Sequence, residues 1–233
     1  VSDLLVIVPS RGRPEAAHEL VKVFEQTCTA NTELRLVVDA DDPTIDDYPA
    51  SALIRQPDID TTTATPNTMV AALNWAIRTV PDTSVRPFAV GFMGDDHRPR
   101  TVGWDALYLT ELRKLGTGLV YGNDLLQKGR LPTQIAMTWD IVWAIGYMAP
   151  PTLRHLYVDN WWRDLGNGAE CLSYLPDVVV EHLHPIANKA EWDAGYRRVN
   201  NDSAMMQDRN TYREYVTKRL QWDIETVAGL RTR

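Results

Sequence analysis

Phe88-Ala89-Val90-Gly91-Phe92-Met93-Gly94-Asp95-Asp96-His97 is the stretch on which the fold turns. Its apolar run, bounded by Pro87 and Gly94, has the pattern of a buried strand. Two adjacent carboxylates follow at the strand's end, where open α/β sheets receive their ligands. Asp95 and Asp96 repel each other unless a cation lies beside them. A hard divalent ion that also carries phosphate oxygens answers that repulsion. The plainer alternative is an Asp-rich turn, with Asp96 capping a helix that starts near Thr101.

Working outward, Leu4-Leu5-Val6-Ile7-Val8 is another continuous apolar run of the kind buried in a parallel sheet. It stops at Pro9-Ser10-Arg11-Gly12-Arg13-Pro14 and leads into a helix from about Glu15 to Cys28, with Leu20, Val23 and Phe24 on one face. Leu34–Val38 reads as a second strand, Ala52–Ile54 as a weak third, and Thr61–Pro66 as a polar loop before a helix through Val70, Leu73, Asn74 and Ile77. After the Asp95 strand come a helix to Leu115, a strand over Gly118–Gly122, a mixed pattern over Ile135–Met148, a short helix over Trp161–Leu165 and a strand over Asp177–His182. From Lys189 the chain is charged and reads as helical, broken at Asn200-Asn201. Strands alternating with helices in the first half predict a mostly parallel central sheet with helices on both faces. The alternation breaks later, so the second half is expected to build onto the sheet edge. No linker composition divides residues 1–233, and a single domain is expected.

The 233 residues are 44% hydrophobic and 24% charged, ordinary values for a globular protein. A net charge of −7 argues against a general nucleic-acid binder. Arg197, Arg198, Arg209, Arg213, Lys218 and Arg219 form a basic tail that reads first as a solvated helix face. Cys28 and Cys171 have no metal-ligand spacing, no segment is apolar enough to span a membrane, and the start of the chain has no signal-peptide pattern; a cytoplasmic location without membrane contact is expected.

Three strand ends carry polar clusters: Ser10-Arg11-Gly12-Arg13, Asp39-Ala40-Asp41-Asp42 and Asp95-Asp96-His97. A parallel sheet gathers these ends on one edge. Arg11 and Arg13 there suit a diphosphate, the carboxylates suit ribose hydroxyls or a base N–H, and the Asp95-Asp96 pair suits a metal. No glycine-rich dinucleotide or phosphate-loop motif is present. His182 and His184 flank Leu183 and point to one face of a strand, as candidate metal ligands or as structural histidines. Asp159-Asn160-Trp161-Trp162 joins a carboxylate to two aromatic rings. Asp159 is a candidate general base and Trp161 and Trp162 a candidate platform for an acceptor; a helix cap over core tryptophans is the plainer reading, and Asp164 is an alternative base.

Together these residues resemble a GT-A glycosyltransferase of the family 2 type, over Val6 to about Tyr196. The resemblance is carried by Val8–Pro14, Val38–Asp42, Asn74, Gly94-Asp95-Asp96-His97 in place of the Asp-x-Asp motif, Tyr157-Val158-Asp159-Asn160, and Val180–Pro185. His97 departs from the motif's final Asp. The resemblance implies a nucleotide-sugar donor, most often a UDP-sugar, and Mn2+ or Mg2+. On it, Pro9, Ser10, Arg11, Arg13, Asp39, Asp41, Asn74 and Asp95 face the donor, Asp96 with His182 or His184 holds the metal, and Asp159 deprotonates the acceptor, inverting the anomeric carbon. It also implies that residues 1–124 are the nucleotide-sugar half and 125–233 the acceptor and metal-histidine half with a helical tail. A looser similarity, to virus-encoded transferases that glycosylate hydroxymethylated DNA bases, implies modified DNA as one acceptor. The competing readings are a metal-dependent nuclease, a nucleotidyltransferase and a non-catalytic nucleotide-sugar binding module.

Overall fold

The computed structural model describes residues 2–56, 67–80 and 86–232. The polar loop expected over Thr61–Pro66 lies outside the described residues. Strand β1 (Leu4–Ser10) runs through the middle of the protein, and Leu4, Leu5, Ile7 and Val8 have no exposed surface. Its side chains alternate between two cores. Leu5 and Ile7 pack with α2 (Met69–Arg78), α4 (Trp139–Ile145) and α5 (Val158–Gly168). Leu4, Val6 and Val8 pack with α1 (Pro14–Thr27) and α3 (Trp104–Leu115) on the opposite side. A strand buried on both faces reads as an unbroken apolar run for this reason. Each fully buried aliphatic side chain contributes about 1.5–3 kcal/mol.

Strand β1 pairs in parallel with β2 (Thr32–Asp39) and β4 (Ala89–Phe92), and β2 pairs in parallel with β3 (Leu53–Gln56). Their carboxyl ends therefore share one edge. Beyond β4 the direction reverses: β7 (Ile135–Thr138) is antiparallel to both β4 and β6 (Leu119–Asn123). Strand β8 (Leu172–His182) lies parallel to β6, and β5 (His97–Pro99) is antiparallel to β8. The sheet order is β3-β2-β1-β4-β7-β6-β8-β5. The mixed pattern over Ile135–Met148 resolves into β7 followed directly by α4, each too short to show a clear period.

Three boundaries differ from the sequence expectation. Helix α3 starts at Trp104 because residues 97–99 are taken by β5 and Gly103 adopts a left-handed φ of 76°. Helix α5 starts at Val158, with Tyr157 preceding it at φ 67°. Strand β8 starts at Leu172, its early residues pairing with β6 despite weak apolar alternation. The charged tail folds as α6 (Ala194–Val199), α7 (Asp202–Tyr215) and α8 (Gln221–Leu230), with a π-helical turn over Val216–Leu220. The break between α6 and α7 is at Asn200-Asn201, where Asn201 Oδ1 accepts from Ala204 N at 3.0 Å. No helix among the described residues is long and apolar enough to cross a membrane.

Buried Asp105 ties α3 to the α1–β2 connection, accepting from Thr29 N and Ala30 N at 3.0 Å each and from Thr32 Oγ1 at 2.7 Å. Asp105→Ala strands those donors, and we expect it to cost about 3 kcal/mol. The loss should appear as a lower denaturant midpoint at unchanged slope.

Candidate active site

A cavity of about 730 Å³ opens at the carboxyl edge of β1, β2 and β4. That volume accommodates a ligand larger than a mononucleotide's base and ribose. Its lining includes Pro9, Ser10, Arg11, Arg13, Asp39 and Asp95 from the strand ends, Asp96, His97, His182 and His184, and Asp159, Trp162 and Tyr196.

The turn after β1 carries the arginines. Gly12, at φ 68°, takes a conformation that L side chains rarely adopt, and its N–H donates to Asp42 Oδ2 at 2.7 Å. Asp42 also accepts from the N–H and hydroxyl of Thr44 at 2.8 Å each, so it shapes the turn. Arg11 Nη1 donates to Asp39 Oδ2 at 3.1 Å and Asp41 Oδ1 at 2.5 Å. Asp41 sits at the rim, outside the cavity lining, and also accepts from Asn67 Nδ2 at 3.2 Å. Its bond to Arg11 holds the Asp41 carboxyl below the usual range, whereas burial raises Asp39 in spite of Arg11. Arg13 donates from Nη1 to Asp95 Oδ1 at 3.1 Å and grips Asp193 with Nε and Nη2 at 2.8 Å each. Its guanidinium lies 4.0 Å over the Tyr196 ring. Burial opposes the Arg13 charge, but these carboxylates outweigh it and raise its pKa. Asp95 also accepts from Ser10 Oγ at 2.5 Å, and burial raises its pKa.

Asp95 and Asp96 thus face different partners. The β5–β8 register sets His97 opposite His182, with their rings stacked at 4.2 Å. Asp96 Oδ1 lies 3.2 Å from His97 Nδ1, and Asp96 Oδ2 lies 3.1 Å from His182 Nε2. The Tyr196 hydroxyl donates to the same Oδ2 at 2.7 Å. Burial works against the Asp96 charge, but His182 and His97 outweigh it and hold its carboxyl well below the usual range. Burial also pulls His182 down, and Asp96 more than offsets it. One ligand atom each from Asp96, His97 and His182 fall within 4.8 Å of one another. Buried His97 Nε2 and His182 Nδ1 have no hydrogen-bond partner, an arrangement that a buried polar atom tolerates poorly. One carboxylate with two imidazoles fits a divalent ion and favours Mn2+ over the oxygen-loving Mg2+.

Gly94 is part of this geometry. Its N–H donates to His97 Nδ1 at 3.0 Å, and a Cβ there would collide with Asp96 Oδ1. Gly94→Ala is expected to weaken Mn2+ binding at least ~10-fold, about 1.4 kcal/mol, measured by calorimetric titration.

Asp159, also in the cavity lining, occupies the first turn of α5, and the one bond its side chain accepts among the described residues comes from Asn160 N at 2.9 Å. Burial pushes its pKa up to about 6. His155, also in the cavity wall, is pulled down to about 4 by burial, so it is neutral at pH 7. Trp162 forms part of the wall, with only 1% of its surface exposed and Nε1 donating to Met148 O at 2.9 Å.

Trp161, Asn74 and Asp164 are turned away from the cavity, and of the two alternative histidines His182, not His184, joins the Asp96 group. Trp161 cannot stack on an acceptor, because it is fully buried outside the cavity and donates to Asp223 Oδ2 at 3.2 Å. Asn74 does not reach the donor side: its amide is spent on the backbone of Met148 and Ala149, at 2.8–3.1 Å. His184 lies in the wall but outside the Asp96 ligand group, with Nδ1 accepting from Ile186 N at 3.2 Å. Asp164 is held by Arg163 and Tyr212 away from the cavity. The structure adds His97, His155, Asp193 and Tyr196. Only His97 carried a sequence signal, its place directly after the carboxylate pair.

The sheet order and the site at its parallel edge define the GT-A fold. A mannosyltransferase from Pyrobaculum calidifontis, solved with GDP-mannose and Mn2+, superposes with a TM-score of 0.59 at 13% identity, over 98% of this chain and 73% of that one. Glucosyl-3-phosphoglycerate synthase from Mycobacterium tuberculosis, solved with Mg2+ and UDP, gives 0.59 at 11% identity, over 90% and 79%. TarS 1-349 from S. aureus, solved with UDP-GlcNAc, gives 0.54 at 11% identity, over 93% and 73%. No protein-family profile matches the chain, and no curated protein sequence is detectably similar.

Proposed function

We propose that the chain is a metal-dependent glycosyltransferase that moves a hexosyl group from a nucleotide-sugar, a UDP-sugar in first place, to an acceptor hydroxyl with inversion. The observation that carries this is one cavity lined both by the Asp96-His97-His182 group and by a carboxylate, Asp159, with an elevated pKa. The fold it shares with enzymes solved with UDP or GDP-sugars supports the same reading.

On this reading Asp96, His97 and His182 hold the ion, which when bound neutralises negative charge on the donor diphosphate. Asp39 accepts from the nucleoside, and Arg11 and Arg13 turn part of their hydrogen-bonding capacity to phosphate oxygens. Asp159 takes the proton from the acceptor hydroxyl. The acceptor oxygen forms its bond to the anomeric carbon as the bond from that carbon to the diphosphate breaks, and one displacement inverts the centre. Residues 1–124 serve the donor, and 125–233 supply the base, His182 and the cover. Two free thiols, Cys28 and Cys171, fit a cytoplasmic setting.

A DNA-base acceptor has lost one of its two supports, since Trp161 is sealed in the core and Trp162 shows 1% of its surface. The basic tail remains exposed. A nucleotidyltransferase would be expected to place a glycine-rich loop with a lysine after β1, where Ser10–Pro14 has neither.

Thermal unfolding with UDP, GDP, CDP, ADP and dTDP, each with Mn2+ or a chelator, tests the reading. A Mn2+-dependent rise with one diphosphate supports it and names the donor class. No rise with any diphosphate overturns it and leaves the nuclease and structural readings. Retention of the anomeric configuration, seen as the product's anomeric-proton coupling, overturns the single displacement.

A further inference from the structure

Helix α7 belongs to the charged tail, yet its buried face is made of polar-tipped residues: Asp208, Tyr212 and Tyr215. Spacings of four and three residues put them on one side of the helix. Each grips an element around α5. The Asp208 carboxylate, 3% exposed, accepts from three consecutive backbone N–H groups, Arg154 at 3.3 Å, His155 at 3.0 Å and Leu156 at 2.8 Å. Tyr212 stacks on Tyr157, with ring centroids 5.7 Å apart, and donates to Asp164 Oδ2 at 2.6 Å. Tyr215 donates to Asp223, which also receives Trp161 of α5.

Three N–H groups pointing one way make an anion nest, and here the chain fills it with its own carboxylate. The loop they belong to ends at Tyr157, whose left-handed φ of 67° is unusual for a bulky residue. No side-chain cap bonds the start of α5. The conformation that launches α5, and with it Asp159 two residues further on, is therefore held from outside by α7. Asp208 also borders the cavity, and both its oxygens accept from these amides, the contacts by which it would act through the loop.

We propose that Asp208 is a positioning residue for Asp159, fixing the 154–157 loop so that the base meets the acceptor hydroxyl; this rests on the transferase reading above. Losing it should misplace the base while leaving the donor and metal side intact. A displacement of the base by about 1 Å is enough to cost ~100-fold in rate.

The test is Asp208→Asn, which keeps the side chain's size but turns one acceptor into an N–H donor facing a backbone N–H. We measure hydrolysis of UDP-glucose and GDP-mannose with Mn2+ and water as acceptor, UDP and GDP binding with Mn2+, and amide exchange by mass spectrometry. The expected result is kcat down at least 10-fold, donor KM and diphosphate affinity within twofold, and faster exchange confined to 154–160. Tyr212→Phe, which keeps the ring stack, should show the same pattern in weaker form and serves if Asp208→Asn does not fold. Wild-type kcat with unchanged exchange overturns the proposal, and so does a loss of kcat accompanied by faster exchange throughout the protein. Asp159→Asn is run in parallel. If it keeps full kcat, the assignment of Asp159 fails and the positioning proposal falls with it; if it loses activity while Asp208→Asn does not, only the proposal falls.

Discussion

Asp159→Asn is expected to lower kcat by ~10²–10⁴-fold with little change in donor KM. Asparagine matches the carboxylate in shape but cannot accept a proton in the transition state, and an interaction made only there is lost from kcat. The pH profile gives an independent reading. Burial disfavours the charged carboxylate and pushes its pKa up to about 6, so the active, ionised form is lost as pH falls through 6. Wild-type kcat should therefore rise with pH up to about 6 and then level off. The residual rate of the Asn variant should lack that limb.

The same shift makes a stability statement. A folded-state pKa raised above the unfolded value stabilises the fold at low pH, and that contribution is lost as pH rises through the folded value. At pH 8 the wild-type chain keeps an ionised, partly desolvated carboxylate that Asp159→Asn does without. The variant should then melt higher than wild type at pH 8, with the advantage vanishing below pH 4. Equal melting temperatures at both pH values would contradict the burial argument, whatever the kinetics show.

Asp96→Ala is the second large effect. Asp96 is the one carboxylate in the three-residue ligand group, and its oxygens face His97 on one side and His182 with Tyr196 on the other. At ~100 times its dissociation constant, a nucleoside diphosphate with Mn2+ should stabilise the wild-type chain by about 2.7 kcal/mol. For a chain of this size that is a rise of roughly 5–10 °C in Tm. In Asp96→Ala the Mn2+-dependent part of the rise should disappear. The chelator arm should match wild type within the effect of the substitution itself. A full Mn2+-dependent rise in the variant would place the ion elsewhere.

The site became legible in the sequence only where its chemistry is local. Arg11, Arg13, Asp39, Asp95 and Asp96 each follow an apolar run, and a run ending in charge predicts both the strand and the edge on which its last residues sit. Tyr196 and Asp193 gave no such signal. They lie about a hundred residues from Asp95-Asp96 and enter the site through Arg13, which holds Asp193 with two hydrogen bonds and stacks on Tyr196. Asn74 and Trp161 went the other way. Their composition suited a binding site, and the packing of α2 and α5 turned both inward, Asn74 to the Met148-Ala149 backbone and Trp161 to Asp223.

By itself the sequence determined the parallel strands β1, β2 and β4, the helices packed on them and the placing of the Asp pair at their carboxyl edge. Those features follow from side-chain periodicity and from apolar burial on two faces, which every short window of the chain reports. Tertiary structure alone brought Asp96, His97 and His182 together, because His97 meets His182 through the antiparallel register of β5 and β8. It also decided the setting of Asp159, because the loop before α5 is held by a carboxylate from α7. Contacts between residues some fifty to a hundred positions apart leave no periodic trace, since the chain between them can be closed in many ways and only the packed core selects one.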